Sequence, residues 1–223
     1  MINSLKSLKE LVFTKVCIAC AAPEFWLCPT CLLPWNISVK KNCIGGKPIY
    51  FKCDYTSKTA SVILAAKESN DLNAIALLAS SISQSIIFSI SDLGLSGVIT
   101  LITIPSSPSA IRRRGRDHIK TLAESVQKDL QQKSITAYYA PILFQKKSIR
   151  DQSQLNSQQR MQNTKGKFVV KSCEIPQGAV YLIDDLLTTG ASILEGVRAL
   201  SEAKITIAAG VTACAVGRIS LIP

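Results

Sequence analysis

The sequence predicts an α/β fold: a parallel sheet flanked by helices, behind a small cysteine-rich N-terminal module. Three observations carry this. Strand-length apolar runs alternate with helical periodicity from Val98 onward. One of those runs ends in two adjacent carboxylates and a glycine turn, Asp184-Asp185-Leu186-Leu187-Thr188-Thr189-Gly190. Six of the eight cysteines fall between positions 17 and 53. Alternating strands and helices imply parallel strands covered on both faces, and ligands of such sheets bind beyond the carboxyl ends of the strands.

Residues 1–16 pattern as a short amphipathic helix, with Leu5, Leu8, Leu11 and Val12 on one face. Residues 17–54 form the cysteine module. From Lys58 to about Phe88 the period is helical, broken near Ser69–Asp71. Strands are expected at Val98–Ile104, Tyr138–Phe144, Ala179–Ile183 and within Ile205–Val216, and helices at Arg116–Gln131 and Ser192–Ala203. This divides the chain into a module over 1–54 and a larger domain over 55–223, whose basic, Gln-rich stretch at about 146–167 has little apolar periodicity.

Composition bounds the function. The 223 residues are 47% apolar, enough for a packed core. A single histidine excludes multi-His catalysis and His-rich metal sites. No uninterrupted apolar run reaches the ~18 residues of a spanning helix, and the apolar segment Leu11–Phe13 is too short for a secretory signal. A cytoplasmic protein with reduced cysteines is therefore expected. The net charge is +11, and residues 105–171 hold 14 basic and 4 acidic side chains. Two groups stand out there: Arg112, Arg113, Arg114 and Arg116 after one strand, and Lys146, Lys147, Arg150 and Arg160 after another. Both suit anions, by bidentate guanidinium pairing or point charge. A solvated charged loop has the same composition.

Cys17-x2-Cys20 and Cys28-x2-Cys31 each let one tight turn present two sulfurs to one ion, and two such turns close a tetrahedral zinc site. A redox pair needs only one such motif. With four thiolates no position stays open for substrate, so the metal is structural. Cys43 and Cys53 receive no metal assignment. Cys173 and Cys214 read as packing residues.

The segment Val180–Ser192 is the most informative. Backbone N–H groups at a helix start, with the hydroxyls of Thr188, Thr189 and Ser192, suit a phosphate. The carboxylates before them suit sugar hydroxyls or a cation beside the phosphate. A simple helix cap would not place two carboxylates at the end of an apolar strand. No Walker A or dinucleotide-binding glycine motif is present.

That segment resembles the phosphoribosyl-diphosphate motif of type I phosphoribosyltransferases. Ile104-Pro105 through Arg112-Arg113-Arg114-Gly115-Arg116-Asp117-His118 to Leu122-Ala123 resembles the RxRGFNQ…LA segment of the ComF (competence protein F) family. Asp151-Gln152-Ser153-Gln154-Leu155, Arg160, Asn163 and Gly166-Lys167-Phe168 resemble its Q-x-x-L-x4-R-x2-N-x2-G-x-F segment. Tyr55 and Lys67 fall where that family has a Tyr and a Lys. With the CxxC pairs, the resemblance spans nearly the whole chain. Arg116-Asp117-His118 departs from Phe-Asn-Gln.

The resemblance implies a type I phosphoribosyltransferase-like fold behind a zinc knuckle. It implies binding of phosphoribosyl diphosphate with Mg2+. Asp184 and Asp185 would act at the ribose hydroxyls and help keep Mg2+ in place. Thr188, Thr189, Gly190, Ala191 and Ser192 would hold the 5-phosphate. Arg112, Arg113, Arg114, Gly115, Arg116 and His118 would meet the pyrophosphate, and the 146–167 stretch would close as a lid. It further implies a role in DNA uptake, with single-stranded DNA and other uptake proteins as partners and Lys146, Lys147, Arg150 and Arg160 as DNA contacts. A non-catalytic nucleic-acid-binding or phosphoribosyl-diphosphate-sensing module fits the same pattern.

Overall fold

The computed structural model describes residues 15–146, 166–171 and 176–217. Most of the expected N-terminal helix, the basic stretch 147–165 and Cys173 lie outside them. The elements in order are α1 (Pro29–Leu32), β1 (Lys40–Ile44), β2 (Lys47–Asp54), α2 (Ser57–Leu64), a π-helical turn (Ala65–Ser69) and α3 (Leu72–Asp92). There follow β3 (Ile99–Thr103), α4 (Pro108–Arg114), α5 (His118–Gln132), β4 (Ala137–Tyr139), β5 (Leu143–Gln145), β6 (Phe168–Val170), β7 (Ala179–Leu187), α6 (Ala191–Glu202) and β8 (Ala209–Ala215).

Six strands form one sheet in the order β1-β2-β8-β7-β3-β4. Only β1 runs antiparallel; every other neighbouring pair is parallel. β5 and β6 make a separate antiparallel ribbon. The expected strand Tyr138–Phe144 is thus two, because the chain leaves the sheet at Ala140 and returns as the ribbon.

Two apolar clusters cover the sheet faces. On one, Tyr181, Ile183, Leu101 and Val211 meet α3 and α5 through Leu78, Ile82, Ile119 and Val126. On the other, Val180, Leu182 and Ile102 meet α6 and the ribbon through Ile193, Leu143 and Phe168. Each fully buried Leu or Ile side chain contributes roughly 1.5–3 kcal/mol. α3 is long and apolar enough to cross a membrane by length and composition, with more than half of that window buried inside the protein. Its serines hide this length from a search for unbroken apolar runs; Ser81, Ser83, Ser85 and Ser89 are all buried.

The hairpin β1–β2 carries no strong sequence signal, and it lies within the span assigned to the cysteine module. It nevertheless belongs to the main sheet: β2 pairs in parallel with β8 from Ile49↔Gly210 to Asp54↔Ala215. The module and the larger domain therefore share a sheet across residue 54. Cys53 faces Cys214 in that register, with Sγ–Sγ 2.9 Å and both side chains buried, while Cys43 is exposed on β1.

Candidate functional site

β7 does not stop before the aspartates. It keeps register with β8 through Asp184↔Thr212 to Leu187↔Ala215. Its pairing with β3 ends at Thr103↔Ile183, so β8 alone carries the ladder through the polar residues that a sequence pattern marks as a turn. The face alternation slips across this pair. Leu182 belongs to the α6-side cluster and Leu186 packs on the α5 side, while Ile183 and Leu187 show the reverse. That slip accompanies two successive carboxylates on one cleft.

The cleft has a volume of about 290 Å³ and lies between the ends of β3 and β7. Its walls include Ser106 and Ser107 after β3, Arg114 of α4, His118 of α5, and Asp184, Asp185 and Thr188. The connection from β3 leads to α5 on one face, and that from β7 leads to α6 on the other. Divergence of neighbouring connections opens a crevice at such a point.

Asp185 is 4% exposed. Its Oδ2 accepts from Lys67 Nζ at 3.0 Å and from His118 Nε2 at 3.2 Å. Burial alone would raise its pKa, but the His118 hydrogen bond and the Lys67 charge outweigh it and hold the carboxyl below its usual range. Asp184 moves the other way. Burial and the neighbouring Asp185 charge raise it well above a normal carboxyl, and its Oδ1 accepts from the Asp185 amide at 2.9 Å. The two neighbouring carboxyls are therefore shifted in opposite directions.

Lys67 comes from the π-helical turn. That turn is closed by Asn70 in the left-handed region (φ 55°), and Arg116 Nη2 donates to the carbonyls of Ala66 and Lys67 at 3.1 and 3.0 Å. Glu68 in the same turn accepts from Arg114 Nε at 3.0 Å and from Arg113 at 3.4 Å. Arg114 Nη1 lies 3.3 Å from His118 Nδ1. A guanidinium can only donate, so Nδ1 holds a lone pair and Nε2 carries the proton given to Asp185.

The expected anion-binding residues thus separate by placement. Arg114 and His118 line the cleft. Arg116 turns back to brace the π-helical turn, and Gly115 (φ 69°) ends α4. Arg112 and Arg113 are exposed. Asp117 is the N-cap of α5 without a side-chain cap bond, and His118 is the first residue of that helix. Thr188 reaches the cleft, while Thr189, Gly190, Ala191 and Ser192 lead into α6 outside its lining. Thr189 Oγ1 accepts from the Ala191 amide at 3.4 Å. Gly190 has φ 77°, and a Cβ there would come within 2.8 Å of Ile44 Cδ1, so glycine is required by backbone and by neighbour. Of the expected DNA contacts, Lys146 is exposed; Lys147, Arg150 and Arg160 lie outside the described residues, as does nearly all of the expected lid. Ser106 had no sequence signal beyond its place after a strand.

At the other end of the chain, the ligand atoms of Cys17, Cys20, Cys28 and Cys31 lie within 4.8 Å of one another. A tetrahedral zinc with Zn–S near 2.3 Å separates its sulfurs by about 3.8 Å, so the donor set fits a four-thiolate structural ion. Burial opposes the Cys17 thiolate, yet amides of Cys28, Ala19 and Cys20 directed at it bring its pKa down to about 6. Burial and the other sulfurs push Cys31 up to about 12. Trp26, between the two pairs, donates to Asp71 Oδ2 at 3.2 Å.

No family model matches the chain, and no curated protein matches its sequence. Among solved structures it is similar to adenine phosphoribosyl transferase from Trypanosoma brucei, determined with AMP, pyrophosphate and ribose-5-phosphate. That likeness has a TM-score of 0.41 and 9% identity, over 84% of this chain and 94% of that one. The competence-family resemblance rests on the sequence motifs themselves.

Proposed function

We propose that the chain binds phosphoribosyl diphosphate, as its Mg2+ complex, in the cleft between β3 and β7, and transfers the phosphoribosyl group. The observation that carries this is the joint presence on one 290 Å³ cleft of the Asp184–Asp185 pair, Thr188 before the α6 N-terminus, and the cations Lys67 and Arg114. Asp184 and Asp185 bind the ribose hydroxyls, and their carboxyl charge would help keep Mg2+ in place. Thr188 and the α6 amides take the 5-phosphate. Arg114, with the exposed Arg112 and Arg113 at the rim, takes the diphosphate. Bound Mg2+ would supply charge neutralisation to the departing pyrophosphate. The protein contributes orientation and a partly water-excluded cleft to an oxocarbenium-like transition state.

The four N-terminal cysteines hold a structural zinc in this proposal. The sequence resemblance extends it to the ComF type, with a role in DNA uptake and single-stranded DNA as a partner. Calorimetry with phosphoribosyl diphosphate and Mg2+ tests the site. Heat of binding is expected for the native chain and is lost in Thr188→Val and Asp184→Asn. Binding unchanged in both variants overturns it.

A further inference from the structure

Ser106, His118 and Asp185 form a continuous hydrogen-bonded series on the cleft wall. Ser106 Oγ lies 3.2 Å from His118 Nδ1, and His118 Nε2 lies 3.2 Å from Asp185 Oδ2. The His118 and Asp185 side chains are only 10% and 6% exposed, and all three residues line the cleft. Ser106 sits on the connection from β3 to α4, where a strand end presents a side chain to the crevice. This is the chain's one histidine.

We propose that Ser106 is an activated nucleophile toward short-chain carboxylic esters, with His118 as its proton acceptor and Asp185 as the residue that orients the ring. This activity does not rest on phosphoribosyl binding. Such constellations are recognised by geometry and role, independent of residue order. The ring runs in the sense opposite to the familiar one: Nδ1 meets the serine and Nε2 the carboxylate. Both nitrogens can play either part, and the hydrogen bond at one sets the tautomer at the other. Arg114 Nη1 and Ser106 Oγ both face the one Nδ1 lone pair, so the guanidinium must turn from the ring toward the developing oxyanion before Nδ1 takes the serine proton. The groups facing the ring are Asp185 from β7, Arg114 from α4 and, through Asp185, Lys67 from the π-helical turn.

The chemistry balances as ester plus water giving acid plus alcohol. Ser106 Oγ bonds to the carbonyl carbon as its proton passes to Nδ1. The carbon–oxygen bond to the alcohol breaks, and the departing oxygen takes that proton. Water then attacks the acyl-serine, its proton going through Nδ1 back to Ser106 Oγ as the acid leaves. Arg114, fixed through its Nε by Glu68, is the donor on the cleft wall for the developing oxyanion.

The test treats the full zinc-loaded chain with a fluorophosphonate and, separately, with 4-nitrophenyl acetate. A single phosphonyl adduct on the Ser106 peptide and a stoichiometric burst of 4-nitrophenolate are expected. Ser106→Ala abolishes both, and His118→Gln slows labelling by about 100-fold or more. Thermal melts of both variants verify folding. No adduct on the folded chain, an adduct elsewhere, or equal labelling of Ser106 in His118→Gln overturns the proposal.

Discussion

Trp26 donates its indole N–H to Asp71, the residue that caps α3 by accepting from the Ala74 amide at 2.9 Å. One carboxylate thus joins the cysteine knuckle to the helix that follows the Lys67 turn. Its backbone takes part as well, since the Asp71 amide donates to the Ala65 carbonyl at 3.1 Å. Trp26→Phe is expected to cost about 1 kcal/mol, the net worth of a hydrogen bond. Asp71→Ala should cost about 1–2 kcal/mol through loss of the cap. Denaturant titration of both single variants and the double variant gives the coupling between them, which vanishes if the contact is absent in solution.

The four-thiolate donor set predicts one zinc per chain by atomic absorption. Chelation should lower the melting temperature, because Ile18, Trp26, Leu27 and Leu32 pack from the knuckle onto the main core. Cys31→Ser should reproduce that loss without chelator. A chain that melts identically with and without chelator refutes the metal assignment.

Asp184 sets a pH dependence. Its pKa is raised in the folded protein, so folding binds a proton there that the unfolded chain releases above about pH 4. Its contribution to stability therefore falls as pH rises from that value toward the folded pKa. Asp184→Asn removes this loss. The variant should gain in melting temperature relative to the native chain as pH rises from about 4 to 7. A constant difference across that range contradicts the split between the two carboxyls.

The arginines should separate into two kinds. Arg116→Lys loses the paired contacts to the Ala66 and Lys67 carbonyls and should destabilise by about 1–3 kcal/mol. Arg112→Ala should stay within about 0.5 kcal/mol in stability, yet weaken binding of the diphosphate. Calorimetry and melting on the same samples distinguish the two effects.

Single-stranded DNA binding, if it accompanies this cleft, follows the phosphate backbone. Affinity should fall steeply between 50 and 200 mM salt, linearly on logarithmic axes. Absence of affinity at the lower salt removes the DNA part of the proposal.

Much of this architecture was legible in residue patterns. The break between α2 and α3 was marked by Ser69–Asp71, and the cysteine spacing anticipated the four convergent sulfurs. Besides the β5–β6 ribbon, two local features escaped. β1 and β2 carry lysines, a proline and an asparagine that obscure strand periodicity, and their pairing with β8 is a long-range event. The seven-residue α4 was hidden because Pro108 and the run of arginines read as loop. At the site, Asp185 was apparent as chemistry but its ties to Lys67 and His118 were not, since those partners lie 118 and 67 residues away in sequence. Ser106 is an ordinary serine until the fold sets it beside the ring.

The strand shared across residue 54 also limits how this protein can be dissected. Trimming the chain to begin at residue 55 would strip two strands from the sheet and leave β8 with a bare row of amides and carbonyls. Naked edges of this sort recruit strands from other molecules. The shortened fragment should come out of expression as aggregate, so it cannot serve as a surrogate for the intact molecule.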